Sequence, residues 1–211
     1  MKQYIAEFIG TFALVFCGTG AIIINEQSNN AITHVGVAIT FGLIVMAMIY
    51  TFGEKSGAHI NPAVTIAFAA HQVFPVGKVL PYIISQTAGA VAASGVLYFL
   101  FPATSTFGET LPSGTETQSL ILEFILTFFL MLTILNVAEG GKEKGLFAGI
   151  AIGSVVLLEA MFAGPVSGAS MNPARSIGPA VVSGNIDALW IYLVAPIGGA
   201  LLAVIIHRLI R

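Results

Sequence analysis

Six apolar runs divide the chain, at about 4 to 24, 34 to 53, 79 to 101, 119 to 138, 146 to 164 and 188 to 208. Each holds about 20 mostly apolar residues, the length that crosses a hydrocarbon core of ~30 Å as a helix. Two polar stretches break the pattern. "SGAHINPAV" at 56–64 and "SGASMNPAR" at 167–175 set amides, an imidazole and prolines between the runs. Their asparagines lie 172 − 61 = 111 residues apart, and Ser, Gly, Ala, Asn, Pro and Ala coincide in register.

Each polar stretch predicts a half-helix. After Asn61, Pro62 and Ala63 the apolar sequence lasts only two to three turns, too short to cross, and Asn172, Pro173 and Ala174 are followed by a similar short segment. Asn suits a helix N-cap, and Pro suits the first helical position, where its missing N–H costs nothing. The backbone before each cap, Gly57 to Ile60 and Gly168 to Met171, is then non-helical at membrane depth. That is tolerated only where it is buried in protein or lines a water-filled cavity.

The duplication extends beyond these loops. "AEFIGTF" at 6–12 resembles "LEFILTF" at 122–128, and "PYIISQTAGA" at 81–90 resembles "IYLVAPIGGA" at 191–200. Each half reads as span, span, loop, span. Three spans are an odd number, so the second copy enters from the opposite face. The expectation is an all-α membrane protein forming one domain over 1–211, with inverted repeats of about 1–101 and 118–211 joined by an external loop at 102–117. Such folds place their working site near the midplane, at the repeat interface. Two half-helix N-termini meeting there bring roughly +0.5 elementary charge each, a barrier to cations and protons but not to neutral molecules. The Asn61 and Asn172 amides would donate to a passing oxygen, and the carbonyls of Gly57, Ala58, His59, Gly168 and Ser170 would accept.

Composition agrees with a membrane location. The chain is 56% hydrophobic and 9% charged, with a mean hydropathy of +0.93, against about 25% charged residues in a soluble domain. The first run carries Glu7, exceeds a signal-peptide core and lacks a small-residue cleavage pattern, so it is read as a span. Seven of the eight basic residues, Lys2, Lys55, Lys78, Lys142, Lys144, Arg208 and Arg211, fall on one side if the termini are cytoplasmic, and only Arg175 does not. That is the positive-inside bias, and it sets the expected orientation in an inner (plasma) membrane. Cys17 is the sole cysteine, so no intrachain disulfide is possible.

The paired "NPA" tripeptides, "HINPAV", "AEFIGTF" and "SGASMNPARSIGPA" make the chain resemble the major intrinsic protein family, the aquaporins and glycerol facilitators, over essentially its full length. The resemblance implies six spanning helices with two re-entrant half-helices, one pore per protomer and a homotetramer. It implies no catalytic residue, metal, cofactor or nucleic-acid partner. By the family's pattern, a constriction falls on Phe41, Ala160, Ala169 and Arg175. Water-selective members place a histidine where this chain has Ala160, so a wider opening is expected here, one that passes glycerol and metalloid hydroxy acids such as arsenous and boric acid as well as water. Bacterial glycerol facilitators carry an aspartate directly after "NPAR", where this chain has Ser176. "LPSGTETQSLILEFILTFFLM" and "LLEAMFAGPVSGASMNPARSIGPA" are instead similar to the nodulin-26-like subgroup, and the short chain without terminal extensions looks bacterial.

Several residues need separate weighing. His59 is expected to line the pore; His34, His71 and His207 show no metal-ligand spacing. Glu7 and Glu123, at matching repeat positions, are expected to be buried structural carboxylates holding the loops. Glu159 either braces the second loop or pairs with Arg175. Gly10, Gly18, Gly20, Gly89, Gly198 and Gly199 read as helix-packing points, and Ser56 and Ser167 as aids to tight loop geometry. Two other functions compete with the channel. A secondary transporter would want midplane acids for Na⁺ or H⁺, which the half-helix ends would repel. A purely structural membrane protein would leave the duplicated polar loops unexplained, and within the channel reading the alternative is a strictly water-selective pore.

Overall fold

The computed structural model describes residues 1–103, 106–138 and 145–211, so Lys142 and Lys144 of the charge pattern lie outside the described residues. The elements are α1 (Lys2–Gln27), α2 (Thr33–Ser56), α3 (Pro62–Ala70), a 3₁₀ turn (Val76–Lys78), α4 (Val79–Leu100), α5 (Glu116–Ala138), α6 (Ala148–Ser167), α7 (Pro173–Ser183) and α8 (Leu189–Ile210). Six of these helices are long and apolar enough to cross a membrane. The short α3 and α7 begin at the two Asn-Pro pairs. The six expected spans agree with these helices to within about three residues at either end.

Packing follows the duplication. In the first half α1 packs on α2 and α4; in the second α5 packs on α6 and α8. Each half-helix packs across the repeat, α3 on α8 and α7 on α4. The long helices α2 and α6 cross at Gly42 and Gly153, which are themselves 153 − 42 = 111 residues apart. A Cβ on either glycine would lie 2.6 Å from the other's carbonyl oxygen, so the backbones touch where the two halves are related. The sequence reading passed over this pair.

Of the glycines it did select, Gly89 and Gly199 are packing points at equivalent crossings, against Phe8 and Phe12 of α1 and against Phe124 and Phe128 of α5. Gly20 and Gly198 face the side chains of Leu97 and Phe124. Gly10 and Gly18 act differently, because their missing side chains leave the space that Ile60 of the first loop and the ring of Phe41 occupy. The chain termini, the end of α3 and the end of α8 share one end of the bundle, where Arg208 Nη2 donates to Ala70 O at 2.7 Å. The linker between the halves covers the other end. There Thr106 Oγ1 donates to Glu26 Oε2 at 2.9 Å, and Ser113 N donates to Val166 O at the same distance.

Candidate functional site

The half-helices start as their sequences require. Asn61 and Asn172 are N-caps in extended backbone, and Asn61 Oδ1 accepts from Ala63 N at 2.9 Å while Asn172 Oδ1 accepts from Ala174 N at 3.0 Å. The other end of each amide crosses the repeat. Asn61 Nδ2 donates to Met171 O and Asn172 Nδ2 donates to Ile60 O, both at 2.8 Å. These reciprocal bonds set the N-termini of α3 and α7 against each other in the middle of the bundle. Each NH₂ keeps a second hydrogen for a solute.

The backbone leading into each cap is strained in the same way. Gly57 and Gly168 take φ of 87° and 83°, and Ala58, Ile60, Ala169 and Met171 are also left-handed, at φ of 42° to 54°. Two such non-glycine residues per loop cost roughly 1–3 kcal/mol each. Buried carboxylates counter that cost. Glu7 Oε1 accepts from Ser56 Oγ at 2.7 Å and His59 N at 2.9 Å, and Oε2 accepts from Ile60 N and Gln86 Nε2, each at 2.7 Å. Glu123 Oε1 accepts from Ser167 Oγ at 2.7 Å and Ser170 N at 2.8 Å, and Oε2 from Met171 N at 2.8 Å. Hydrogen bonds to a charged group contribute about 1.5–3 kcal/mol each, so three or four outweigh the strain. Tyr82 OH and Tyr192 OH fasten the helix ends, donating to Ser56 O at 2.9 Å and Ser167 O at 2.7 Å. The serines therefore do more than permit a turn.

A cavity of about 400 Å³ runs from Phe41, Ala160 and Arg175 past both caps to Tyr50 and Glu54 near the terminus end. Gly57, Ala58, His59 and Ser170 line it. Gly168 does not: it borders a second cavity of about 370 Å³ at the linker end, together with Asn25 and His34. Its left-handed turn packs against Thr110 of the linker, which holds it above the main cavity. Phe41, Ala160 and Ala169 border both cavities and so mark the division between them. Arg175 lies at this level with its Cζ 5.2 Å from the Phe41 ring centroid, and its Nη1 donates to Gly108 O at 2.7 Å.

Neither role left open for Glu159 has a bond behind it. Glu159 is buried, its Oε2 has no hydrogen-bond partner among the described residues, and Arg175 is engaged by Gly108 and Phe41 instead. No sequence pattern pointed to the mouth at the linker end, where His34 Nε2 lies 2.7 Å from Met161 O. His71 and His207, distant in sequence, bring their rings to 5.3 Å at the terminus end. No group of three His, Cys, Asp or Glu among the described residues is placed to hold a metal.

Residues 1–207 match the family described as Major intrinsic protein. The chain is 46% identical to nodulin-26 of Glycine max, with all of this chain and 78% of that protein covered. It is 49% identical to aquaporin NIP1-1 of Zea mays, covering all of this chain and 75% of that one. Among solved structures, the aquaglyceroporin from Plasmodium falciparum superposes with a TM-score of 0.89 at 26% identity, over 99% of this chain and 96% of that chain.

Proposed function

The chain belongs to the major intrinsic protein family, multi-pass membrane channels for water and small solutes rather than enzymes, and on that footing we propose that it passes glycerol and metalloid hydroxy acids as well as water. The observation that carries this reading is the pair Ala160 and Ala169 beside Arg175 and Phe41, two small side chains at the level where both cavities meet. Small walls admit a polyol; the guanidinium and the two asparagine amides supply donors to its hydroxyls. Half-helix ends and Arg175 together set a positive field that refuses protons and cations. The same reading takes 1–211 as one domain of two inverted repeats, assembled as a homotetramer in the plasma membrane with cytoplasmic termini. Glu7 and Glu123 hold the loops and do not touch solute.

Purified protein in liposomes, followed by stopped-flow light scattering, tests the proposal. Ala160→His is expected to lower glycerol permeability about tenfold or more, a barrier increase of roughly 1.4 kcal/mol, while water permeability falls less than about threefold. Equal losses for both solutes would contradict the assigned constriction. A strictly water-selective pore would show glycerol flux at the lipid background before any substitution.

A further inference from the structure

We propose that His59 stands in the pore as a hydrogen-bond acceptor, its Nδ1–H donating to Thr65 and its bare Nε2 turned to the solute, a tautomer imposed by the chain Glu7, Gln86 and Thr65. The inference rests on the channel reading for its meaning but on hydrogen-bond geometry for its content.

Thr65 Oγ1 has three polar neighbours: Gln86 Nε2 at 2.9 Å, Asn61 O at 3.0 Å and His59 Nδ1 at 3.1 Å. A hydroxyl has one hydrogen and two lone pairs. Asn61 O, which also accepts Thr65 N at 3.0 Å, takes the hydroxyl hydrogen on its second lone pair, in the i−4 back-bond common for helical threonine. Gln86 Nε2 can only donate, so it fills one lone pair. What remains for His59 is the second lone pair, and Nδ1 must therefore bring its own proton.

The orientation of Gln86 is fixed in turn. Its Nε2 lies 2.7 Å from Glu7 Oε2, and a flipped amide would set an oxygen against that carboxylate. Its own Oε1 has no partner among the described residues, the cost of this orientation. All of these groups are buried; Glu7, Thr65 and Gln86 are fully so. The imidazole is held among Phe68, Phe74 and Tyr82, with centroids 4.8 to 5.1 Å away, so the ring cannot turn over freely. His59 borders the main cavity. Its Nε2 carries no hydrogen bond among the described residues and is not fully enclosed.

The consequence is chemical. With Nε2 unprotonated, the wall beside the first loop presents a further acceptor, facing the donors of Asn61, Asn172 and Arg175. A solute with O–H groups is matched on both sides; one with carbonyl oxygens alone is not. In the second half Ser170 occupies the equivalent position, with its Oγ 2.9 Å from Asn172 O and 2.6 Å from Ser176 Oγ, so the imidazole acceptor belongs to one half only.

Solid-state NMR of ¹⁵N-histidine-labelled protein in lipid vesicles at neutral pH reads the ring nitrogens directly, with the His59 signals identified by their loss in His59→Gln. The expected spectrum has a protonated Nδ1 and an unprotonated Nε2 in a single tautomer. A proton on Nε2 would overturn the proposal. Thr65→Val is expected to abolish the preference and give both tautomers, and Thr65→Ser to restore the single one; an unchanged tautomer in Thr65→Val would overturn the role of Thr65. If Thr65→Val does not assemble, the wild-type spectrum still decides. Because ring nitrogens and not fluxes are read, failure here leaves the permeation reading standing, and absent glycerol flux would leave the tautomer standing.

Discussion

The two re-entrant loops do the same backbone work with different polar supports. In the first, Glu7 collects four donors, one of them Gln86 from α4, and Gln86 also reaches Thr65 within the half-helix. In the second, Glu123 collects three, because Pro196 stands where Gln86 stands in the aligned segment of α4. The missing support comes from outside the repeat. Thr110 Oγ1 of the linker donates to Ser176 Oγ at 2.7 Å; Ser176 lies 2.6 Å from Ser170 Oγ, and Gly108 of the same linker holds Arg175. The first loop is thus braced by the membrane-spanning helices, whereas the half-helix that carries Arg175 is braced by the segment joining the two halves. A duplicated fold could specialise one copy in this way without disturbing the shared scaffold.

The comparison is open to direct attack. The largest effects belong to the carboxylates. Glu7→Ala and Glu123→Ala each strip three or four buried donors and are expected to destabilise by more than about 4 kcal/mol, seen as loss of folded protein on size-exclusion chromatography after heating in detergent. Glu7→Ala should be the worse of the two, and a reversed order would break the proposed asymmetry. Next come the unequal supports. Gln86→Leu is expected to cost about 1–3 kcal/mol of stability with the glycerol-to-water permeability ratio within about twofold of wild type. Thr110→Val should cost less than that and shift the ratio by about threefold or more, roughly 0.7 kcal/mol at the constriction, with Thr110→Ser restoring it. If Gln86→Leu moves the ratio as far as Thr110→Val, the two loops are not differently braced. Smallest is Asn185→Ala, which removes an exposed bond of 2.9 Å to Glu109 of the linker. Its effect on melting temperature and permeability ratio is expected within error, since such surface bonds contribute about 0.5 kcal/mol or less.

Much of this was legible in the sequence because it rests on patterns that repeat. Run length identified the six long helices, Asn followed by Pro identified the caps, and the register of 111 exposed the two-fold relation. Glu7 and Glu123 could be matched as pairs for the same reason. What escaped is what the repeat does not duplicate or what depends on three-dimensional approach. Thr110 and Gly108 lie in a linker with no counterpart, so nothing in the sequence tied them to Ser176 and Arg175. Gly18 reads as a helix-packing point and Gly42 as an ordinary small residue, although one seats the Phe41 ring and the other meets Gly153 backbone to backbone. Gly168 reads as a pore-lining carbonyl beside Ser170, but its left-handed turn against Thr110 sets it on the cavity at the linker end.

On the proposed function, neutral hydroxylated solutes pass an opening kept wide by Ala160 and Ala169. Glycerol flux into proteoliposomes, measured by stopped-flow beside water flux in the same preparation, tests it most directly. Glycerol entry is expected well above that into protein-free vesicles and rising nearly linearly with concentration. Rapid water flux with glycerol at the protein-free rate would contradict it.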